Sequence, residues 1–542
     1  MIPYQIKPVD EAEVKRLSAA FGISEILARL LVLRGVKEWE EVQMWLKPDV
    51  SQLYPPELLP DFDAAAERLV RAIEKRERVL IWGHDDLDGI TAAAILGKVL
   101  SALQAAVDYH IPTRGRDKHG LDARVLETLP EARKPNLIVT VDCGITNNKD
   151  IEILQGQGID VVVTDHHEVT QPLPAAEAVV DPKRDDGDYP YRELTGAGVA
   201  LKLAMGIAKQ RLGVDTGGFF SAQPELLALS ALGTIADRAP LNGENRIIVT
   251  VGLRALQDTR LPALRAVLNE VNFIRGRLTL SQFLGELLPL FAAAEGVEAV
   301  KMFLDADEVK ARMWVKGLVE RRNAWQKEAE STLRIAQENV RLGDGILFVQ
   351  HQNLSLRALG FTAARLKERY QVPAVVIGWR GDIWVGECRG MPGVDLMELL
   401  RALRGYFIDF GGHKQAAGFS IEDAKVGDFI RAAERFAHEN FAGRIVRENP
   451  LLADAFLPFS RFDPGVRVLA PFGEGNPQPV FVSEKTALVK DDVGFVPETR
   501  PDLVIEPFRF ASQIEDGVKY FFLYTVDDLG RLTIINTVKE EV

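Results

Sequence analysis

Between residues 78 and 165, three short apolar runs each end in acid. "RVLIW" (78–82) leads into "GHDDLDG", "LIVTV" (137–141) into "DCG", and "DVVVT" (160–164) into "DHHE". Runs this short and this β-branched, with little polar alternation, are the pattern of parallel strands buried on both faces. "AAVDYHI" (105–111) reads as a further strand, and the segments between, such as "TAAAILGKVLSAL" (91–103), carry the longer apolar period of helices. Strand and helix alternating in this way predict a doubly wound parallel sheet. In such sheets ligands bind at the carboxyl edge of the strands, which is where this chain gathers its acids.

At 542 residues the chain is too long for one core, and its signals divide it further. Residues 1–55 read as small helices that run into a proline-rich connector, and 56–260 hold the parallel-sheet region. Residues 261–345 are helical and end in a long charged helix, "VKGLVERRNAWQKEAESTLRIAQENVRL", that joins two lobes. A second α/β region spans 346–445, and after 446 strands and turns such as "FRFASQI" and "KYFFLYTVDD" predict a small β-barrel of OB-like type. Two cysteines, Cys143 and Cys388, argue against a disulfide framework. No apolar run is long enough to cross a bilayer, and no basic stretch leads into a long apolar segment at the start, so a cytoplasmic protein is expected. The formal charge of −13 gives no overall basic footprint for nucleic acid, although a net sum does not reveal a local groove.

Four stretches share the strand-end address or come after a helix: "HDDLDG", "VDCG", "TDHHEV" and "GTIADRAPL". Together they offer Asp86, Asp88, Asp142, Asp165, His166, His167 and Asp237, with His84 and Asp85 beside them. So many carboxylates cannot sit close as anions without cations between them. An Asp/His set without thiolates favours Mn²⁺ or Mg²⁺. Two such ions sharing a bridging carboxylate would activate a water. Each piece alone has an ordinary explanation: Asp-x-Asp can cap a helix, and a His-His pair can lie on a surface. It is the conjunction that points to a metal centre.

In order, "DLDGITAA", "VDCG", "TDHH" and "GTIADRAPL…NR" resemble the four motifs of the DHH phosphoesterases, and most closely the RecJ branch of single-strand-specific 5′→3′ exonucleases. "RGRDKHGL", with Arg114, resembles the family's post-strand loop, and "LTGAGVALKLA" the helix after the third motif. "GFTAARLKERY", "CRGMPG" and "FGGHKQAAGF" resemble the DHH-associated lobe, and "LAPFGEGNPQPVF" a signature near the OB-like barrel. The resemblance implies a parallel-sheet DHH lobe, an α/β DHH-associated lobe and an OB-like barrel. It implies that Asp86 holds one metal, that Asp88, His166 and Asp237 hold a second, and that Asp142 bridges them. His167 would meet the scissile phosphate, with Asp165 orienting His166. Arg389 and the turn Gly411, Gly412, His413 would hold substrate phosphates, with Arg114 also at the substrate. The implied chemistry is in-line attack on phosphorus by metal-bound hydroxide, with two Mn²⁺ ions or Mg²⁺ in their place, releasing mononucleotides from single-stranded DNA in repair and recombination. Candidate partners are a single-strand-binding protein or a helicase.

Three departures from the family stand out. Trp82 occupies the position of a metal-binding histidine, and His84, two residues on, is the candidate replacement. The segment 284–296, "LGELLPLFAAAEG", has leucine, proline, phenylalanine and alanine where relatives carry arginines and an asparagine. Ser355 stands where the associated lobe has a histidine, with His351 nearby but out of register. These changes leave two alternatives open: the same chemistry on RNA or short oligonucleotides, or a catalytically reduced scaffold subunit of a replication or repair assembly.

Overall fold

The computed structural model describes the chain except residues 1–3, 114–119, 128–129, 131–133, 170–171, 272, 274–277, 306, 442–450, 492–493, 507–513, 516 and 539–542. It divides into two units, one of residues 1–319 with 451–542 and one of residues 320–450.

In the first unit the predicted parallel sheet has five strands. Across the sheet they run Ala106–His110, Arg78–Gly83, Leu137–Val141, Asp160–Thr164 and Ala178–Val180, all parallel. Side chains alternate between two apolar layers, as a pleated strand requires. Val79, Ile81, Leu137, Val139 and Val162 pack into the larger core. Leu80, Trp82, Ile138, Val161 and Val163 pack into the layer on the other face. Each such side chain contributes roughly 1.5–3 kcal/mol when fully buried, which is why these strands tolerate no polar alternation. The helices Leu87–Ala102, Gly196–Leu212 and Pro224–Ala236 are apolar nearly all round and lie buried in the larger core.

The C-terminal residues build a mixed seven-stranded sheet, in keeping with the OB-like expectation. The strand read over "FRFASQI" falls on 508–514, of which 508–513 lie outside the described residues. The aromatics of "YFFLY" do not form a stacking face as a set, since Phe522 and Tyr524 are core. That core is shared: Val14, Leu17, Leu31 and Trp45 of the N-terminal helices pack with Phe459, Phe462 and Tyr524. The strand Tyr4–Ile6 pairs in parallel with Leu451–Ala453.

The second unit is a six-stranded sheet. Its order is Phe407–Gly412, Ala416–Ile421, Trp384–Arg389, Ala374–Trp379, Leu347–His351 and Arg341–Leu342. The helices Leu359–Tyr370 and Asp423–Asn440 contribute to its apolar core.

No helix among the described residues is long and apolar enough to cross a membrane.

Candidate metal centre

The register of the parallel sheet assembles the site. Gly83 lies opposite Val141, and Val141 opposite Thr164, so three strands end in one row. Chain order reverses across the sheet between Arg78–Gly83 and Leu137–Val141, the switch point at which such folds bind ligands. The residues after these strand ends therefore leave the sheet at one level: His84 to Asp88, Asp142, and Asp165 to His167.

Each acid is placed by local structure. Asp86 caps the helix Leu87–Ala102, its Oδ1 accepting the Gly89 N–H at 3.0 Å. Asp88 is 1% exposed and turns toward the start of another helix, where the N–H groups of Gly196 and Ala197 donate to it at 2.7 and 3.0 Å. Asp142, also buried, sits in the left-handed region at φ 60°. Glycines keep the acids close. A Cβ on Gly196 would lie 2.4 Å from Asp142 Cβ, and one on Gly233 would lie 2.4 Å from Asp88 Oδ1.

Three overlapping groups result, each with ligand atoms within 4.8 Å of one another. They are His84, Asp86 and Asp142; Asp88, His166 and Asp237; and Asp142, His166 and His167. His84 Nδ1 is 3.0 Å from Asp86 Oδ2 and 3.9 Å from Asp142 Oδ2. On the other side, His166 Nε2 is 3.0 Å from Asp142 Oδ1 and 3.8 Å from Asp88 Oδ2. Asp142 Oδ1 is buried without a hydrogen-bond partner, so the close His166 nitrogen lacks the alignment of a hydrogen bond. A buried imidazole nitrogen and carboxylate oxygen that crowd in this way, as His166 and Asp142 do, without a hydrogen bond between them fit a hard or borderline divalent cation.

The electrostatics agree with that fit. Burial, and after it the charges of Asp237 and Asp86, pushes Asp88 up to about 7. Burial and the neighbouring carboxylates raise Asp142 well above its usual range. Although Asp237 keeps an exposed surface, desolvation by the surrounding site, and then the charge of Asp86, lifts it to about 6. Burial and the neighbouring His167 lower His166 to about 4, leaving a neutral imidazole of the kind that binds metal. At Asp86 burial opposes ionisation, but the contact with His84 outweighs it and holds the carboxyl low.

Asp165 departs from its expected partner. The resemblance assigns it to orient His166, yet its Oδ1 lies 2.7 Å from Nδ1 of His167. It holds His166 only by the main-chain N–H, at 2.8 Å. The turn after Thr164 folds the second imidazole back over the carboxylate, while the first faces Asp142. The hydrogen bond that His167 donates to Asp165 raises the imidazole to about 8 against the effect of burial. Trp82 does not face the cluster. It packs with Leu80, Ile138 and Cys143, stacks on His110 and donates Nε1–H to Gly120 O at 3.2 Å. The two-residue alternation stops with the strand at Gly83, and His84 reaches Asp86 from the turn beyond it.

Arg114 lies outside the described residues. In the second unit, Arg389 pairs across strands with Ala416, and His413 donates its N–H to Ala416 O at 2.7 Å. Arg389 and His413 thus share a row on the same sheet, with the Gly411 and Gly412 strand beside it. Arg389 Nη1 donates to Glu387 Oε2 and Cys388 O. Ser355 accompanies the first turn after Leu354, its N–H donating to Thr332. The segment 284–296 is explained by packing, since Leu287, Leu290 and Phe291 are core. Sequence reading placed a helix over "LTGAGVALKLA" but missed that its start, at Gly196 and Ala197, holds Asp88. The only signal was the threonine–glycine pair of "LTGAG", where Thr195 caps that helix.

Comparison with known proteins gives this geometry its relatives. The profile of the DHH family, N-terminal domain, matches residues 78–234, and that of the DHHA1 domain matches residues 343–439. The single-stranded-DNA-specific exonuclease RecJ of Dickeya dadantii is 31% identical over 531 residues, covering 92% of this chain and 89% of that protein. The Bacillus subtilis exonuclease of the same name is 29% identical over 90% of this chain, which spans 62% of that relative's length. Thermus thermophilus RecJ, solved with Mn²⁺, shares the fold with a TM-score of 0.79 at 24% identity, over 99% of this chain and 79% of that one. An exonuclease RecJ solved with manganese is 29% identical, with a TM-score of 0.61 over 72% of this chain and 97% of that one. With three acid-bearing motifs on one sheet edge, a fourth at a helix end beside them, and 31% identity across most of both chains, this protein belongs to the DHH family, in its RecJ branch.

Proposed function

We propose that the chain is a metal-dependent exonuclease that hydrolyses single-stranded DNA to mononucleotides from the 5′ end, in DNA repair and recombination. One observation carries the reading: Asp142 groups with His84 and Asp86 on one side and with His166 on the other, and His166 groups in turn with Asp88 and Asp237. His84, Asp86 and Asp142 would hold one divalent cation, and Asp88, His166 and Asp237 a second, with Asp142 common to both. When bound, the cations supply Lewis acidity toward the phosphate oxygens.

The chain's own groups do the rest. Asp165 holds His167 by Nδ1 and leaves Nε2 toward the phosphate, on a side chain 53% exposed. Raised to about 8, that imidazole carries a proton at neutral pH and presents positive charge to a phosphate oxygen. The helix start at Gly196 and Ala197 fixes Asp88, so that carboxylate does not reorganise during the reaction. Arg389, in the second unit, is suited to a substrate phosphate through its guanidinium fork. The turn at Gly411, Gly412 and His413 would contact the same backbone. A single-stranded DNA labelled at either end, incubated with Mn²⁺, tests the proposal. Mononucleotides should appear from the 5′ end, and Asp142→Ala should abolish their release. Cleavage confined to RNA or dinucleotides would change the substrate, and no hydrolysis with any divalent ion would favour the scaffold reading.

A further inference from the structure

Asp237 stands apart from the other candidate cation ligands. Asp88 and His166 are buried, whereas Asp237 is exposed at the C-terminal end of the helix Pro224–Ala236. No side-chain hydrogen bond steadies its carboxylate among the described residues. Its position must come from the main chain. The residue after it, Arg238, takes the left-handed conformation at φ 57°, a place where helices ordinarily use glycine. The N–H groups of Arg238 and Ala239 turn back to Ile235 O and Thr234 O, both at 3.2 Å.

The next residues are gripped by a loop from the far end of the chain. Leu241 donates its N–H to Glu474 O at 2.8 Å. Gly475, at φ 66°, passes so close that a Cβ would lie 2.9 Å from Pro240 Cβ. A Cβ on Gly473 would lie 2.8 Å from Leu241 Cδ1 and 2.7 Å from Leu280 Cδ2. The loop is itself rigidly held. Gly473 and Asn476 exchange main-chain hydrogen bonds, and the Asn476 amide donates to Leu469 O and Pro471 O, each at 2.8 Å. Arg34 donates to Asn476 Oδ1 at 2.7 Å, and Asp528 takes the N–H groups of both Phe472 and Leu280. Such bracing is more than a surface turn needs to keep its shape.

We infer that the loop 473–476 is a positioning element for Asp237: by gripping Pro240 and Leu241 it sets where that carboxylate stands against Asp88 and His166. It thereby governs one of the two cation positions and not the other. This rests on the reading of Asp237 as a cation ligand.

Mn²⁺ titration of the full-length protein, monitored calorimetrically and by the spin signal of free Mn²⁺, separates the two claims. Asp237→Asn should remove one class of Mn²⁺ site; if both classes persist, the ligand reading itself fails. Gly475→Ala should weaken that same class by about tenfold or more, the scale of lost support around a ligand, and leave the other class unchanged. Glu474→Ala keeps the accepting carbonyl and should leave both classes as they were. Gly473→Ala presses only on side-chain ends, so it guards against a Gly475 variant that fails to fold, and adding Leu241→Ala should restore its Mn²⁺ binding. If Asp237→Asn loses one class while the glycine variants bind both normally, or weaken both equally, the positioning role is overturned.

Discussion

Asp142 holds the least comfortable position of any acid in the site: buried, left-handed in its backbone, and surrounded by carboxylates that raise its proton affinity. Asp88, pushed up to about 7, shares that condition, and His84 is raised because its contact with Asp86 outweighs burial. Without a cation Asp88 is partly protonated at neutral pH, and a cation binds only the deprotonated carboxylate. Binding must therefore release protons, and apparent affinity must rise as pH rises from about 6 to 8. Calorimetric titration of Mn²⁺ at pH 6.5 in two buffers of different ionisation enthalpy should show that release, and equal heats in both buffers would refute it. Arg246 illustrates the opposite case, a charge buried for architecture. Its guanidinium donates to Trp45 O, Val468 O, Leu469 O and Ala470 O and lies 4.5 Å from the Trp45 ring. Burial, and then nearby arginines, lower it to about 9. Arg246→Ala takes a donor from four carbonyls, of which Leu469 O keeps the Asn476 amide, so a loss of about 3–5 kcal/mol is expected in urea denaturation, well beyond that of a surface arginine.

At the scale of elements, two glycines let three buried helices and the sheet edge converge. Gly233 on the helix Pro224–Ala236 faces Asp88 and Thr91 on Leu87–Ala102, and an added methyl would lie 2.4 and 2.6 Å from their oxygens. Gly233→Ala should therefore leave the fold intact but displace Asp88 from the N–H groups of Gly196 and Ala197. Mn²⁺ affinity should fall at least tenfold, read by titration, with little change in the far-ultraviolet circular dichroism. The strands that carry the site were legible because parallel strands buried on both faces need unbroken β-branched runs. Ala178–Val180 was not, because three apolar residues carry no period that distinguishes strand from loop. The partner of Asp165 was also beyond reach, since motif order names the residues but not which ring folds back on the carboxylate. Nor could the apolar segment 284–296 be assigned to packing until Phe303 and Trp314 were seen in the same core.

At the scale of the molecule, the two ends of the chain build one core. Leu17, Leu30 and Leu31 from the start pack with Phe459, Phe462 and Tyr524 from the end. A chain stopped at residue 450 would expose that apolar surface and remove the carbonyls that satisfy Arg246. It should bind a hydrophobic dye, and its unfolding midpoint should fall well below that of the full chain; an unchanged midpoint and no dye binding would contradict the shared core. The sequence alone determined the parallel sheet and the acids at its strand ends, because strand burial and ligand chemistry act through residue types at short spacing, and the resemblance of its motifs pointed to the family. Only the tertiary structure decided which carboxylate faces which imidazole, that Trp82 turns into the core, and that a C-terminal loop grips the segment after Asp237. Those contacts, some between near neighbours such as Asp165 and His167 and others between distant parts of the chain such as Leu241 and Glu474, are selected by close packing and satisfied hydrogen bonds, which leave no periodic trace in the order of residues.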